Sequence, residues 1–133
     1  MLIVTGASGQ LGRKIVEQLL RHTPSNSIGV SARHPEKIEE IGSLGVRVRQ
    51  GDYEDAESLQ HAWEGAERLL LVSSNAAATG GDTLKQHATA ISVARSVGVK
   101  RIFYTSQVSA SSASHFPPGK THAATEQMLA ESG

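Results

Sequence analysis

The sequence predicts an α/β fold, a doubly wound parallel sheet with helices on both faces. Three observations indicate this fold class. Short apolar runs alternate with segments of helical periodicity along the whole of the 133 residues. The connections between them are short, and a glycine-rich turn joins the first apolar run to the first helical segment. Parallel strands joined by right-handed helical crossovers satisfy such an alternation.

Five segments have the composition of strands, because they are short, rich in apolar residues and bounded by turn residues. The first and the fourth are almost wholly apolar, and the third alternates valine with arginine. In chain order, the predicted strands are Leu2–Thr5, Ile28–Ala32, Val46–Arg49, Arg68–Val72 and Arg101–Thr105.

A helical segment is predicted after each strand. The first has apolar residues at positions 11, 15, 16, 19 and 20, and a turn sequence around Pro24 ends it. Pro35 suits the first turn of the second, which glycines at 42 and 45 close. Asp55 is expected to cap the third, and Gly98 ends the fourth. The predicted helices are Leu11–Arg21, Pro35–Leu44, Asp55–Trp63, Thr83–Val97 and His122–Glu131.

Composition narrows the class of function. There are 13 basic and 13 acidic residues, which argues against a nucleic-acid or membrane-surface role that depends on bulk charge. There is no cysteine, so disulfides, thiolate nucleophiles and cysteine metal sites are excluded. No apolar run approaches the roughly 20 residues that span a bilayer, and the N-terminus enters a strand at once. We therefore expect a cytoplasmic protein with no nucleic-acid or membrane partner.

The segment from Gly6 to Gly12 has the sequence GASGQLG and carries most of the functional information. Glycine at 6 permits a tight turn, glycine at 9 allows close backbone approach to a pyrophosphate, and glycine at 12 allows close packing of helix on strand. The helix N-terminus then offers N–H groups and a partial positive charge to phosphates. This pattern, between a strand and a helix, predicts a Rossmann dinucleotide site. The alternative is a sharp strand-to-helix turn that binds nothing.

The end of the second strand indicates which dinucleotide is bound. An NAD site usually has an acid there for the ribose 2′-hydroxyl, but this strand is followed by Arg33 and His34. A guanidinium suits a 2′-phosphate. We therefore predict NADP(H) as the cofactor, with a solvent-facing arginine as the alternative.

Polar residues that follow other strands complete the candidate site, since ligands of open α/β sheets bind at the carboxyl ends of the strands. Asp52 either accepts a hydrogen bond from the adenine amino group or caps the following helix. Ser73, Ser74 and Asn75 either allow close approach of the nicotinamide ribose or form an ordinary polar loop. They belong to the first of two polar stretches that interrupt the pattern, Ser73–Asp82 and Ser106–Thr121.

The chain is expected to be one domain over residues 1–133. A doubly wound dinucleotide fold usually has at least one more strand. We therefore expect the domain to be truncated after its sixth helix, with the C-terminal substrate-binding part absent.

Six segments together resemble one family, the NmrA-like atypical short-chain dehydrogenase/reductases, and within it the bacterial NADPH-dependent quinone oxidoreductases. The resemblance spans essentially the whole chain but only about the N-terminal half of a family member. The segments are Val4–Gly12, Ser31–Lys37, Val48–Tyr53, Leu69–Ser74, Gly98–Ser106 and Glu126–Gly133.

The resemblance implies a Rossmann domain that binds NADP(H) through Gly6, Ala7, Ser8, Gly9, Gln10 and Leu11, together with Arg33 and residues 73–75. In the quinone reductases it implies hydride transfer from NADPH to a quinone. In other members it implies a non-catalytic sensor that binds the nucleotide and regulates a protein partner. A third hypothesis is an inactive fragment whose exposed sheet edge favours a homodimer or aggregation.

The wider superfamily uses a Tyr-x-x-x-Lys pair, and this chain departs from it. Pro118 occupies the tyrosine position and His122 the lysine position, so carbonyl reduction by that mechanism is disfavoured. Reducing a quinone is less demanding, because a quinone is already electrophilic and orientation of NADPH supplies much of the catalysis.

Two residues are weak catalytic candidates. His122 is a proton donor or an exposed helix residue, and Ser106 either binds a substrate oxygen or serves as a loop serine. No metal site is predicted, because no histidine forms a tight pair with an acidic partner. The histidines are at positions 22, 34, 61, 87, 115 and 122.

Overall fold

The computed structural model describes residues 1–7, 9–72, 83–105 and 117–132, and for 117–122 it describes the helix backbone only. Five parallel strands form one sheet in the order β3-β2-β1-β4-β5. β1 lies at the centre of this order. Successive strands are added on one side of β1 up to β3 and on its other side from β4 onward, as in doubly wound folds. The predicted fold class is confirmed. The strands are β1 Leu2–Thr5, β2 Ile28–Ala32, β3 Arg47–Gln50, β4 Arg68–Leu71 and β5 Arg101–Tyr104.

A helix follows each strand. In addition to the α-helices, short 3₁₀ turns occupy Ser25–Ser27 and Pro35–Ile38. The last helix is the fifth α-helix within the described part of the chain, in agreement with the five predicted helical segments, so counting it as the sixth was wrong. The α-helices are α1 Gln10–Leu19, α2 Glu39–Gly42, α3 Ala56–Ala62, α4 Thr83–Ser96 and α5 Pro117–Glu131.

Three predicted helices agree with the observed ones to within two residues at each end, and the other two differ more. The segment predicted as one helix, Pro35–Leu44, is a 3₁₀ turn followed by a single α-helical turn. The last helix begins at Pro117, five residues before the predicted start at His122. Proline is tolerated in the first turn of a helix, where its missing N–H would have no partner in any case. The second polar stretch therefore ends in a helix rather than in a loop.

Two apolar layers enclose the sheet, because successive strand residues face opposite sides. Ile3 and Leu69 face α3 and α4, whereas Val4 and Val30 face α1 and α2. The α3–α4 layer also contains Trp63, which is fully buried and donates its indole N–H to the Ser31 hydroxyl at 3.0 Å. This bond connects the centre of that layer to the end of β2.

Strand β3 lies at one edge of the sheet, and its arginines hold the end of α3. Arg47 Nη2 donates to the carbonyl oxygens of Ala62 at 3.0 Å and Glu64 at 2.8 Å. Arg49 Nη1 donates to the carbonyl of His61 at 2.7 Å. Cations are favourable at the C-terminus of a helix, where carbonyls lack intrahelical partners. Burial lowers the pKa of Arg47, and the neighbouring Arg49 lowers it further.

Replacing Arg47 with alanine is expected to lower the free energy of unfolding by about 1–2 kcal/mol, because two helix-end carbonyls lose their donor. Arg68→Ala is the matched control, since that strand arginine is exposed and forms no side-chain bond with the described residues. Urea unfolding of both variants tests this. Equal stability of Arg47→Ala and the wild type would show that water replaces the guanidinium without loss.

No helix among the described residues is long and apolar enough to cross a membrane.

Candidate dinucleotide site

The glycine turn lies between β1 and α1. Gly6 has a φ of +62°, a backbone conformation that residues with a Cβ rarely adopt. The N–H of Gly9 donates to the Gly6 carbonyl at 3.0 Å, which closes the turn. Ala7 is fully buried beneath it. The chain therefore reverses within a few residues and enters α1 at the carboxyl edge of the sheet.

Gly12 allows α1 to approach this turn. A Cβ at position 12 would lie 2.3 Å from the Gly6 carbonyl oxygen and 2.8 Å from its carbonyl carbon. Both atoms belong to the backbone of the turn, so the turn or the helix would have to shift to make room for a side chain. Glycine at 12 is therefore a requirement of the fold, as the sequence predicted for helix-on-strand packing.

Gly9 is different, because the fold does not require glycine there. Its φ is −81°, which any residue adopts, and the residue is exposed. Among the described residues, a Cβ would meet only the Gly6 carbonyl oxygen, at 3.4 Å. The side chain that is missing at Gly9 leaves open space above the turn, where a pyrophosphate can approach the backbone closely.

The first turn of α1 faces the same space. Gly9 is its N-cap and supplies no capping side chain, and the first turn contains no acidic residue. The N–H groups at the start of a helix have no intrahelical acceptors, and no side chain among the described residues substitutes for them here. Such N–H groups and the helix dipole favour an anion at a helix N-terminus. Gln10 and Leu11, both exposed, are the first residues of this turn.

Arg33 follows β2 at the same edge. It is exposed and forms no ion pair or hydrogen bond with any residue that the structure describes. Arg13 differs, since it pairs with Glu40 at 2.5 Å, and the adjacent His34 lies 3.4 Å from Glu36. The described part of the chain therefore leaves the guanidinium donors of Arg33 without acceptors.

Asp52 lies in the loop after β3. Its Oδ1 accepts the N–H of Glu54 at 2.9 Å, and its own N–H donates to the Ser58 hydroxyl at 2.9 Å. The cap of α3 is Asp55, whose Oδ1 accepts the N–H groups of Glu57 and Ser58. The alternative in which Asp52 caps this helix is therefore wrong. Its Oδ2 has no partner within the described residues, which leaves the adenine role as a prediction.

The remaining candidates fall where the structure gives no side-chain description. Ser8, Ser73, Ser74, Asn75 and Ser106 lie outside the described residues, and only the backbone of His122 is described, within α5. Their binding and catalytic roles stay predictions. The positions of Pro118 and His122 do fall four residues apart on one helix, the spacing of the superfamily pair.

Sequence reasoning missed the role of Tyr53, which it named only as the end of the family-like segment Val48–Tyr53. Its hydroxyl lies 2.8 Å from Thr5 Oγ1 and 3.1 Å from the Val72 carbonyl oxygen. The N–H of Val72 donates to Thr5 Oγ1 at 2.9 Å. We call these three residues the hydroxyl ring. The only available sequence signal was an aromatic residue just after a strand end in a chain with 4% aromatics.

Burial raises the pKa of Tyr53 to about 12, although the hydrogen bond with Thr5 opposes the shift. The folded protein thus holds this proton more tightly than the unfolded chain, in which tyrosine has a pKa of about 10. The resulting stability is fully present below pH 10 and is lost as the pH rises towards 12.

We expect urea unfolding at pH 9 and pH 11 to show this loss. Between pH 9 and pH 11 the wild type is expected to lose about 1.3 kcal/mol more of its free energy of unfolding than Tyr53→Phe, most of it above pH 10. Identical pH dependence of the two proteins would contradict a buried neutral hydroxyl.

A parallel sheet of this order, with a glycine turn that leads into an uncapped helix, defines a dinucleotide-binding protein of the Rossmann class. A protein-family profile described as NAD(P)H-binding matches residues 6–132. The chain belongs to this NAD(P)H-binding family and is an NmrA-like domain.

Two curated relatives match almost the whole chain. Quinone oxidoreductase 2 of Escherichia coli is 40% identical over 133 residues, which is 100% of this chain and 45% of that protein. An NmrA-like family domain-containing oxidoreductase, flvB, of Aspergillus flavus is 35% identical over 98% of this chain and 44% of its own length. The chain therefore spans less than half the length of these relatives.

Solved structures agree with the fold. The NADPH complex of the Escherichia coli NADPH-dependent quinone oxidoreductase has a TM-score of 0.91 and 40% identity, over 100% of this chain and 46% of that one. The NADP(H) complex of Citrobacter sp. triphenylmethane reductase has a TM-score of 0.89 and 35% identity, over 99% of this chain and 46% of that one.

Proposed function

We propose that this chain is the NADP(H)-binding domain of a quinone oxidoreductase-like enzyme that transfers a hydride from NADPH to a quinone. The observation that carries the proposal is the exposed Gly9 at the uncapped start of α1, where neither backbone conformation nor packing accounts for a glycine. A ligand that needs close backbone approach and carries negative charge accounts for both features.

Arg33 supports NADP(H) as the ligand over NAD(H). Its guanidinium is exposed, without a partner among the described residues, and follows β2, where a 2′-phosphate lies in dinucleotide sites of this class. A carboxylate at this point would accept the 2′-hydroxyl of NAD, and none follows the strand directly. Both relatives of known structure named above were solved with NADP(H) or NADPH.

The names of the relatives support the acceptor class. One acts on quinones, and another is named for triphenylmethane compounds. Both acceptors are conjugated electrophiles that accept a hydride without prior activation by an acid. This suits a chain with proline and histidine at the tyrosine and lysine positions of α5. When bound, NADPH supplies the hydride, and a proton from solvent or from His122 completes reduction of the quinone to a hydroquinone.

A non-catalytic NADP(H) sensor that regulates a protein partner is the second candidate. The observation in its favour is the same pair of positions, since Pro118 cannot donate a proton. A sensor binds both oxidised and reduced nucleotide and turns neither over.

Titration calorimetry of the chain with NADPH and with NADH tests the proposal, followed by NADPH oxidation with a series of quinones. Tight NADPH binding with weak NADH binding, and oxidation by a quinone, are expected. Binding of NADP and NADPH without turnover by any quinone supports the sensor. An absence of heat with both nucleotides contradicts the enzyme and the sensor alike.

A further inference from the structure

We propose that Tyr53 is a positioning residue for the dinucleotide, because its hydroxyl fixes the carboxyl ends of β1 and β4 against each other below the glycine turn. The proposal rests on the proposed function, since it concerns the same site.

The hydroxyl ring begins where the backbone ladder between β1 and β4 stops. The two strands pair from Leu2 with Arg68 to Val4 with Leu70, whereas β1 and β2 remain paired one residue further, at Thr5. Beyond Val4, the contact between β1 and β4 is made by side chains. This is the crevice between the two halves of the sheet, where doubly wound proteins bind their ligands.

The protons of the hydroxyl ring can be assigned from the donors present. The N–H of Val72 donates to Thr5 Oγ1. The Val72 carbonyl only accepts, so the proton within reach of it is that of the Tyr53 hydroxyl. The Thr5 proton then goes to the Tyr53 oxygen. Every donor in the hydroxyl ring thus has an acceptor. The N–H of Val72 is bonded to the Thr5 hydroxyl and its carbonyl to the Tyr53 hydroxyl.

The hydroxyl ring controls the surroundings of Gly6. Thr5 directly precedes this glycine, and a Cβ on Gly6 would lie 3.4 Å from the Cβ of Val72. Thus Thr5 of the hydroxyl ring continues directly into the glycine turn, and Val72 packs against the turn at Gly6. A small separation of β4 from β1 would move Val72 away from Gly6. The glycine turn could then shift and change the direction of the N–H groups at the start of α1. Ligand sites tolerate little displacement of this kind.

The aromatic side chain of Tyr53 packs against α4. Its edge contacts His87 of α4, with ring centroids 6.5 Å apart and planes at 84°. His87 is fully buried and its Nδ1 lies 2.9 Å from Thr125 Oγ1 of α5. It also makes an edge contact with Tyr104 of β5 at 5.6 Å. The side chain of Tyr53 therefore keeps one orientation, which a positioning role requires.

The test compares Tyr53→Phe, Thr5→Val and Thr5→Ser for dissociation constants of NADPH and NADH and for stability in urea. We expect Tyr53→Phe and Thr5→Val to weaken both nucleotides alike, by roughly fivefold to tenfold, because a partly buried carbonyl or N–H of Val72 loses its partner. Thr5→Ser keeps the hydroxyl and is expected to bind as the wild type does. Arg47→Ala is the stability control, since its bonds lie at the amino edge of the sheet.

Wild-type affinity of Tyr53→Phe would overturn the proposal, as would an equal loss of affinity in Arg47→Ala. Amide hydrogen exchange of the ligand-free protein separates this inference from the proposed function. Faster exchange at Val72 and Gly9 in Tyr53→Phe supports the positioning role even if the wild type binds neither nucleotide, a result that contradicts the proposed function alone. Unchanged exchange at both amides overturns the positioning role.

Discussion

Arg33→Glu is expected to weaken binding of NADPH by roughly two orders of magnitude while changing that of NADH less than about threefold. The reason is that the guanidinium at position 33 has no competing partner among the described residues. Its charge-assisted bonds are thus available to a 2′-phosphate, and NADH lacks that group. Reversing the charge removes these bonds and adds repulsion. Titration calorimetry of the variant with each nucleotide measures the effect.

Arg21→Glu is the matched control for this prediction. Arg21 is exposed just beyond the end of α1, at the opposite edge of the sheet, and its replacement changes net charge by the same amount. We expect it to alter neither affinity appreciably at physiological salt, where exposed charges are screened beyond about 8 Å. An equal loss of NADPH and NADH in Arg33→Glu would show that this arginine does not bind the 2′-phosphate.

Gly12→Ala is expected to lower stability, whereas Gly9→Ala is expected to lower nucleotide binding. Gly12→Ala places a Cβ 2.3 Å from the Gly6 carbonyl oxygen, so we expect a loss of about 3 kcal/mol in the free energy of unfolding. Gly9→Ala meets only an ordinary contact at 3.4 Å. We expect its stability to remain within about 1 kcal/mol of the wild type.

Nucleotide binding separates the two variants further. Gly9→Ala fills the space above the turn, so binding of NADPH and NADH should fall together, because both contain the pyrophosphate. Urea unfolding and calorimetry on the same preparations give both quantities. A Gly9→Ala protein that binds nucleotide normally would show that the open space at this glycine does not hold the pyrophosphate.

The strands could be predicted from sequence because each is encoded by a short apolar run, a pattern that depends only on neighbouring residues. The runs Leu2–Thr5 and Ile28–Ala32 are observed with the predicted bounds, the fourth and fifth strands end one residue earlier than predicted, and the third is shifted by one residue at both ends. Short apolar runs between turn residues have few alternative structures in an alternating α/β chain. The glycine spacing likewise encodes a local requirement, which Gly6 and Gly12 show directly.

Helix bounds were harder to predict where two local signals conflict. Pro117 and Pro118 indicate a break before His122, yet the helix starts at Pro117 because proline fits a first helical turn. In the segment after Pro35, the short spacing to Gly42 leaves room for only one α-helical turn after the 3₁₀ turn.

The hydroxyl ring could not be predicted, because its members are distant in sequence. Tyr53 meets Thr5 across 48 positions and Val72 across 19. Only the sheet order brings these strand ends together, and periodicity does not encode which side chain crosses between them.

The burial of Trp63 gives this protein a built-in optical probe. It is the only tryptophan in the chain, it is fully enclosed, and its indole N–H is bound to Ser31, two residues before Arg33. Its fluorescence should be blue-shifted in the folded state and move to the red on unfolding. Because a reduced nicotinamide absorbs where tryptophan emits, quenching by energy transfer should distinguish bound NADPH from bound NADP without any attached label.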